Sequence, residues 1–410
     1  MSAVRPTGRR APGEGREGRA GCAWGIVGCG WVARDHFLPG LLQAARGHPD
    51  APPRLVAAAD PDPAAAARLA RRAPGASTAA DTGELLARHR PDAVYVAVPN
   101  HAHRRVVEEV AAAGTPVLCE KPLAAGLADA EALVAACRRA GVLAGTAYDQ
   151  RFHPAHRVMA DLVAAGELGT VTALRVVYCC WLPPAWSPDG RRYDNWRTDP
   201  ARAGGGALLD LAPHGLDLAG MLLGGDDVEH LAAVAQHRVH PYPVDDGAVL
   251  AGRTRGGVLF GAHVAYNVPE TPGTPETPGT PGTPGTPGTP GAPPRRRLEI
   301  TGTRGTLTAL DTLGQDPGGT VELADARGGP PTPVRFDTSL SPFTRQTEEF
   351  SAAVAAVAAG VPPGSAWPWP LERDLALHRL LLTATDRAGT APPPVPAGPE
   401  PPHAAPEGVR

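Results

Sequence analysis

Several things are missing from this chain, and each absence removes a class of function. There is no surplus of positive charge: 39 Lys and Arg stand against 42 Asp and Glu, for a net charge of −3 at pH 7. A nucleic-acid binder would carry a basic face, so nucleic acid is not an expected partner. The six cysteines include no Cys-x-x-Cys pair, which removes the common zinc and redox motifs, and no metal site is expected. Cys179 and Cys180 are neighbours and should remain thiols, because a bridge between adjacent residues is strained. No apolar run approaches the ~20 residues that a membrane span needs. The first 21 residues are rich in Arg, Gly and Pro and lack the apolar core of a secretory signal. A cytoplasmic protein without a membrane partner is the expectation. Proline (48) and glycine (49), by contrast, are over-used. They concentrate in the tails 1–21 and 391–410, which read as disordered, and in one repeat at 271–291. The remainder is long enough for two domains.

The first domain, expected over 22–147, opens with Ala23-Trp-Gly25-Ile-Val-Gly28-Cys-Gly30-Trp31-Val32-Ala33. A short buried strand runs into Gly-x-Gly-x-x-Ala and then a helix, the setting a dinucleotide fingerprint requires. Gly28 permits the tight turn, Gly30 lets backbone approach a pyrophosphate, and Ala33 allows close helix–strand packing. The helix start offers N–H groups and a positive dipole end to phosphates. Leu55–Asp60 reads as a second strand ending in an acid, placed to hold ribose hydroxyls and repel a 2′-phosphate. That favours NAD over NADP. Asp60 lies further along than the usual ~20 residues, which the loop 48–53 would explain. Strands at Asp92–Val98, Pro116–Cys119 and Val142–Thr146 alternate with helices, so a parallel sheet covered on both faces is expected. Pro99-Asn100, with His101 and His103 close behind, and Glu120-Lys121 fall at strand carboxyl ends, where ligands of such sheets sit.

The second domain, expected over 148–390, changes character. A helix (His156–Ala165) leads to long strands at Thr170–Trp181, Val228–Val239, Ala248–Arg255 and Val258–Val268. Shorter ones follow at Arg297–Thr301, Gly305–Leu310, Thr320–Ala326 and Pro333–Phe336. Alternation within Val258–Val268 fits an antiparallel sheet. Helices Pro342–Ala359 and Leu371–Ala388 close the fold. Six Thr-Pro-Gly triplets and one Thr-Pro-Glu occupy 271–291; they cannot continue a ladder, and an expanded hairpin loop without chemistry is expected. Between the first two long strands lies Gly204-Gly-Gly-Ala-Leu-Leu-Asp210-Leu-Ala-Pro213-His214-Gly-Leu-Asp217. On a helix, Asp210 and His214 share a face about 6 Å apart along the axis, with Asp217 continuing it. A carboxylate that orients and charges a histidine makes a general base near neutral pH; an ordinary pair on a solvated helix is the other reading. Pro213 should break or kink the helix. The glycines let another backbone, a substrate or a cofactor come close.

Gly25-Ile-Val-Gly-Cys-Gly-Trp-Val-Ala-Arg, Pro99-Asn-x-x-His103, Glu120-Lys-Pro-Leu and Gly204-Gly-Gly-Ala-Leu-Leu-Asp-Leu-x-x-His occur in this order. Together they resemble the Gfo/Idh/MocA family, relatives of glucose–fructose oxidoreductase and inositol dehydrogenase, over about residues 22 to 390. Gln150-Arg151-Phe152-x-Pro154 and Trp196-Arg197 are lesser matches. The resemblance implies an α/β protein: a Rossmann dinucleotide-binding domain, then an α+β domain with a large, mostly antiparallel sheet. It implies that Lys121 hydrogen-bonds a reacting hydroxyl, that His214 exchanges its proton, and that Asp210 holds and charges the site. Gly28, Gly30, Trp31, Val32, Asp60, Pro99, Asn100, His103, Glu120 and Lys121 would line the cofactor, and Arg151, Trp196 and Arg197 the substrate. The activity implied is NAD-dependent oxidation of a sugar, cyclitol or related polyol by a homodimer or homotetramer joined through the open sheet. An NAD-using glycosidase of this fold and a non-catalytic dinucleotide-binding regulator are the alternatives. Asp149, where a smaller or amide residue is common in the family, is a departure expected to leave the catalytic trio untouched.

Overall fold

The computed structural model describes residues 21–188, 194–269 and 295–386. The first sheet is assembled from short strands: β1 (Ala23–Val27), β2 (Arg54–Ala59), β3 (Ser77–Ala79), β4 (Ala93–Val96), β5 (Val117–Cys119) and β6 (Ala144–Thr146). Their order is β3-β2-β1-β4-β5-β6 and every pair is parallel. All residues of β1 and β4 are buried. That is why these strands read as unbroken apolar runs, since helices cover both faces of such a sheet. The covering helices are α1 (Leu38–Gly47), α2 (Pro63–Ala70), α3 (His103–Ala112) and α4 (Leu127–Ala140). Local chemistry sets their ends. Asp62 caps α2 by accepting from the Ala64 N–H, with Pro63 in the first turn, and Gly141 ends α4 at φ 65°. The strand order reverses between β1 and β4, which opens a crevice at their carboxyl ends.

After α5 (Pro154–Ala164) comes a second sheet of β7 (Val171–Cys179), β8 (Val228–Gln236), β9 (Gly247–Thr254), β10 (Leu259–Ala265), β11 (Arg296–Gly302), β12 (Gly305–Leu310), β13 (Thr320–Asp325) and β14 (Thr332–Val334). The order is β14-β13-β12-β11-β7-β10-β9-β8. Only β7 and β10 pair in parallel; the remaining pairs are antiparallel. On β10, Phe260, Ala262 and Val264 are buried beneath α6 (Ala207–Leu222), while Leu259 and His263 face outward with period two. On the other face Val234 and Val249, which are cross-strand neighbours, and Leu259 are exposed.

Two expectations are corrected here. β10 and β11 flank residues 270–294 but do not form a hairpin, because β7 lies between them. β10 and β11 therefore lie two strand spacings of ~4.8 Å apart. Alternation marks a strand without naming its neighbour. The repeat at 271–291, and the tails apart from Gly21, lie outside the described residues. Of the break or kink expected at Pro213, the break does not occur: α6 is continuous from Ala207 to Leu222. The hydrogen bond that proline forfeits would have gone to the Leu209 carbonyl, and burial of nearly the whole helix holds it together.

The last helices, α7 (Pro342–Ala358) and α8 (Leu371–Asp386), return to the start. Phe343, Phe350 and Trp367 join one core with Trp24 and Phe37. α7 approaches α1 so closely that a Cβ on Gly40 would sit 2.8 Å from the Phe343 carbonyl carbon. The residues after 148 thus form a core of their own and also complete that of the first sheet.

Candidate active site

At the crevice the backbone is shaped by glycine. Gly28 has φ +91°, and a Cβ there would lie 2.4 Å from the Ala97 carbonyl oxygen, so no other residue fits. A Cβ on Gly30 would meet nothing within 4 Å, which leaves room above the loop for a pyrophosphate. Asp60 follows β2, and its carboxylate accepts from the N–H groups of Cys29 (2.7 Å) and Asp62 (2.8 Å). Its long sequence distance from the glycines comes from a helix that begins at Trp31 and Val32, passes a π-turn (Ala33–Phe37) and continues as α1, as well as from the loop 48–53. Glycine turn, open space, helix start and strand-end acid together fit a dinucleotide. Asn100, beside Pro99 at the end of β4, donates to the Ala203 carbonyl (2.9 Å), tying this edge to the glycines before α6. His101 is exposed.

Lys121 is the only lysine in the sequence. It follows β5 and reaches across to the first turn of α6, where its Nζ donates to the Asp210 carbonyl (2.9 Å) and to Oδ1 (2.5 Å). Tyr266 donates its hydroxyl to Asp210 Oδ2 (2.6 Å). Burial alone would raise the Asp210 pKa; the Lys121 and Arg197 charges and the two donated hydrogen bonds instead hold it well below the usual carboxylate range. The start of α6 is fixed by Asp245, whose carboxylate accepts from Gly206 N (2.8 Å) and Leu208 N (2.7 Å). The glycines are explained by packing: a Cβ on Gly204 would meet the Ala125 oxygen at 2.0 Å, and one on Gly206 the Asp245 oxygen at 1.9 Å.

His214, one turn on, is buried. Burial and the Lys121 charge push its pKa down to about 3, against the opposing pull of Asp210 and Asp217. It is therefore neutral at pH 7, with a lone pair to accept a proton. Asp210, bonded to Lys121 and Tyr266, makes no hydrogen bond to it. The carboxylate facing His214 Nδ1 is Asp149, 3.7 Å away, so this departure from the family pattern does touch the trio. Burial pushes Asp149 up to about 6 and Glu120 up to about 7.

Three expected ligand contacts are corrected. His103 is fully buried, its ring nitrogens each 2.9 Å from the carbonyls of Pro122 and Val98, so it clamps the loops after β4 and β5 and does not face a cofactor. Glu120 turns inward to accept from Tyr95. Arg151 is fully buried, forked onto Asp217 (2.8–3.0 Å) and paired with Asp374 (2.6 Å), while Arg373 also holds Asp217 (2.5 Å). This network joins the turn after β6 to α6 and α8 and leaves no route to substrate. Asp217 thus serves structure. Arg197 lies over the rings of Trp196 (4.7 Å), Trp186 (5.6 Å) and Trp31 (5.9 Å), joining the segment before α6 to the helix after the glycine loop. Sequence reading did not assign Tyr266, Asp245 or Trp186 to this edge. Tyr266 alternates in phase with Phe260, Ala262 and Val264, but nothing local names a partner 56 residues away.

A family model described as "Oxidoreductase family, NAD-binding Rossmann fold" matches residues 22–148, and one described as "GFO/IDH/MocA C-terminal domain" matches 156–308. The 1,5-anhydro-D-fructose reductase of Ensifer adhaerens is 30% identical over 364 residues, spanning 88% of this chain and 96% of the relative. A levoglucosan dehydrogenase structure, in complex with NADH and levoglucosan, superposes with a TM-score of 0.68 at 21% identity, covering 90% of this chain and 97% of that one. A 3-ketoreductase from Actinomadura kijaniata, in complex with NADP and TDP-benzene, gives 0.68 at 23% identity over 89% and 97%. At that identity the two structures speak for the fold alone. Among the described residues, no helix is long and apolar enough to cross a membrane.

Proposed function

Because the chain belongs to the Gfo/Idh/MocA family and is an oxidoreductase of the sugar and polyol type, we propose that it oxidises a secondary alcohol of a sugar, cyclitol or related polyol with NAD. The observation that carries this reading is Lys121 seated on Asp210 at the crevice edge, with neutral His214 one turn further along the same helix. Gly28, Gly30, Trp31, Val32 and Asp60 would hold the dinucleotide, with Pro99, Asn100 and Lys121 beside its reactive end. When bound it supplies the hydride acceptor. The remaining work falls to the side chains. Lys121 donates to the hydroxyl oxygen and stabilises the negative charge that grows there. His214 takes the hydroxyl proton. Asp210 keeps Lys121 in place, and Tyr266 keeps Asp210 in place. Trp196 and Arg197 would border the substrate. Asp60 would repel a 2′-phosphate, which favours NAD. The exposed Val234, Val249 and Leu259 support pairing of subunits through the second sheet.

The test is incubation of purified protein and NAD with panels of sugars, polyols and glycosides. Stoichiometric NADH from a polyol is expected. Glycoside cleavage without net NADH would replace this reading by an NAD-using glycosidase, and neither product from any compound would leave a dinucleotide-binding regulator.

A further inference from the structure

His214 Nδ1 is a buried nitrogen without a hydrogen-bond partner. Such an atom is costly and calls for a partner. Asp210 makes no hydrogen bond to it; its carboxylate is bonded to Lys121 and Tyr266. Asp149 faces it. It begins the turn after β6, at the same carboxyl edge of the first sheet as Asp60 and Lys121. Its Oδ2 accepts from Gln150 Nε2 at 2.9 Å, and that same amide donates to the Gly314 carbonyl at 2.7 Å. The carboxylate is therefore held from behind, with Oδ1 toward His214. Both side chains are about nineteen-twentieths buried, at 5% and 6% exposure, so a charge contact between them is little screened.

We propose that Asp149 is the positioning residue for His214: its carboxylate accepts a hydrogen bond from Nδ1–H and leaves Nε2 as the nitrogen that accepts the hydroxyl proton. This rests on the reading of His214 as proton acceptor. The present 3.7 Å is longer than a hydrogen bond; contacts of this kind tighten when substrate fills the site. In the step itself the substrate O–H bond breaks. Its proton goes to Nε2, and its electron pair stays on oxygen, where Lys121 meets it. His214 then carries a positive charge. Facing it are Lys121, which opposes that charge, and Asp210 and Asp217, which favour it but are committed to Lys121 and to arginines. Neutral His156, Tyr148 and Tyr178 complete the surroundings. Asp149 is the carboxylate left to balance the imidazolium. The two acids of the site thus divide the work: Asp210 serves the lysine and Asp149 the histidine.

The decisive variant is Asp149→Asn. Gln150 donates to the outer oxygen, so an asparagine there would turn its oxygen toward Gln150 and its NH2 toward His214. Nδ1 would then accept, and the proton would move to Nε2, the wrong tautomer for a base. Histidine labelled with ¹⁵N reports the tautomer by long-range correlation, with His214 assigned by its loss in His214→Gln. The expected result at pH 8 is Nδ1–H in the wild type and Nε2–H in Asp149→Asn. In the same variant kcat should fall by about 100-fold or more, with KM changed less than about threefold. Asp149→Ala should give a tautomer mixture and an intermediate kcat. An Nε2–H tautomer in the wild type, or an unchanged tautomer and kcat in Asp149→Asn, overturns the proposal. Normal turnover in His214→Ala alongside tautomer inversion overturns the proton role and places the failure in the functional reading, not in the contact.

Discussion

The glycine crevice and the acid–base cluster meet at one edge of the first sheet, yet they are built by opposite means. The crevice is backbone shape. Gly28 turns at φ +91° against Ala97, Gly30 leaves open space, and a helix starts at once. Apart from Asp60, the parts lie within a few consecutive residues. The cluster is side-chain pairing across the chain: Lys121 meets Asp210 from 89 residues away, and Tyr266 meets the same carboxylate from 56. Shape that depends on consecutive residues can be read from a sequence. A partner that depends on how two sheets are docked cannot.

The comparison breaks most readily at the network behind the cluster. Arg151→Leu leaves Arg373 alone against the buried carboxylates of Asp217 and Asp374, which should cost about 3–5 kcal/mol. A large drop in the denaturation midpoint with KM unchanged in the surviving enzyme is the expected result. A raised KM with normal stability would return Arg151 to the substrate. Next come the groups assigned to chemistry. Lys121→Ala and His214→Ala should each lower kcat by about 100-fold or more, while NAD affinity, measured by calorimetry, changes much less in His214→Ala. Near-normal turnover in either would dissolve the cluster as a catalytic unit.

Acid should act through the buried histidines, of which His214 belongs to the cluster and His103 to the loops at the crevice. Burial holds His103, His156 and His378 at about 4 and His214 at about 3. Their folded-state values lie below the ordinary value of about 6.5. The unfolded chain therefore takes up protons first, and stability is lost as pH falls from about 6.5 toward 4. Glu120 and Asp149, raised to about 7 and 6, act oppositely across the same window but are outnumbered. Between pH 7 and 6 the net loss should be about 1–2 kcal/mol, seen as a falling thermal midpoint. A midpoint that rises or stays flat would contradict these burial assignments. The smallest effect belongs to the crevice. Asp60→Ala should weaken NAD more than NADP, narrowing their ratio by about tenfold. Equal binding of the two by the wild type would remove Asp60 from the ribose.

Both sheets were legible, because unbroken apolar runs and period-two runs report how many faces are covered. The neighbours of β10 were not, since a strand pattern carries no register partner. Asp210 and His214 were correctly placed on one helix, but the inference that one orients the other failed: helix spacing gives proximity, and competing donors decide the bond. Asp149 was visible only as an odd residue, for its meaning depends on a turn after β6 packing under α6. Arg151 looked like a substrate residue because a family motif reports that a residue is required, not whether solvent reaches it.

One measurement reaches the central claim directly. With a single lysine in the chain, protein labelled with ¹⁵N at lysine Nζ reports the Lys121 ammonium alone. The account predicts a signal displaced from that of free lysine, moved by Asp210→Asn, and moved again when a polyol substrate is added to the NAD-loaded enzyme. A free-lysine signal in the wild type, indifferent to Asp210→Asn and to substrate, would contradict it.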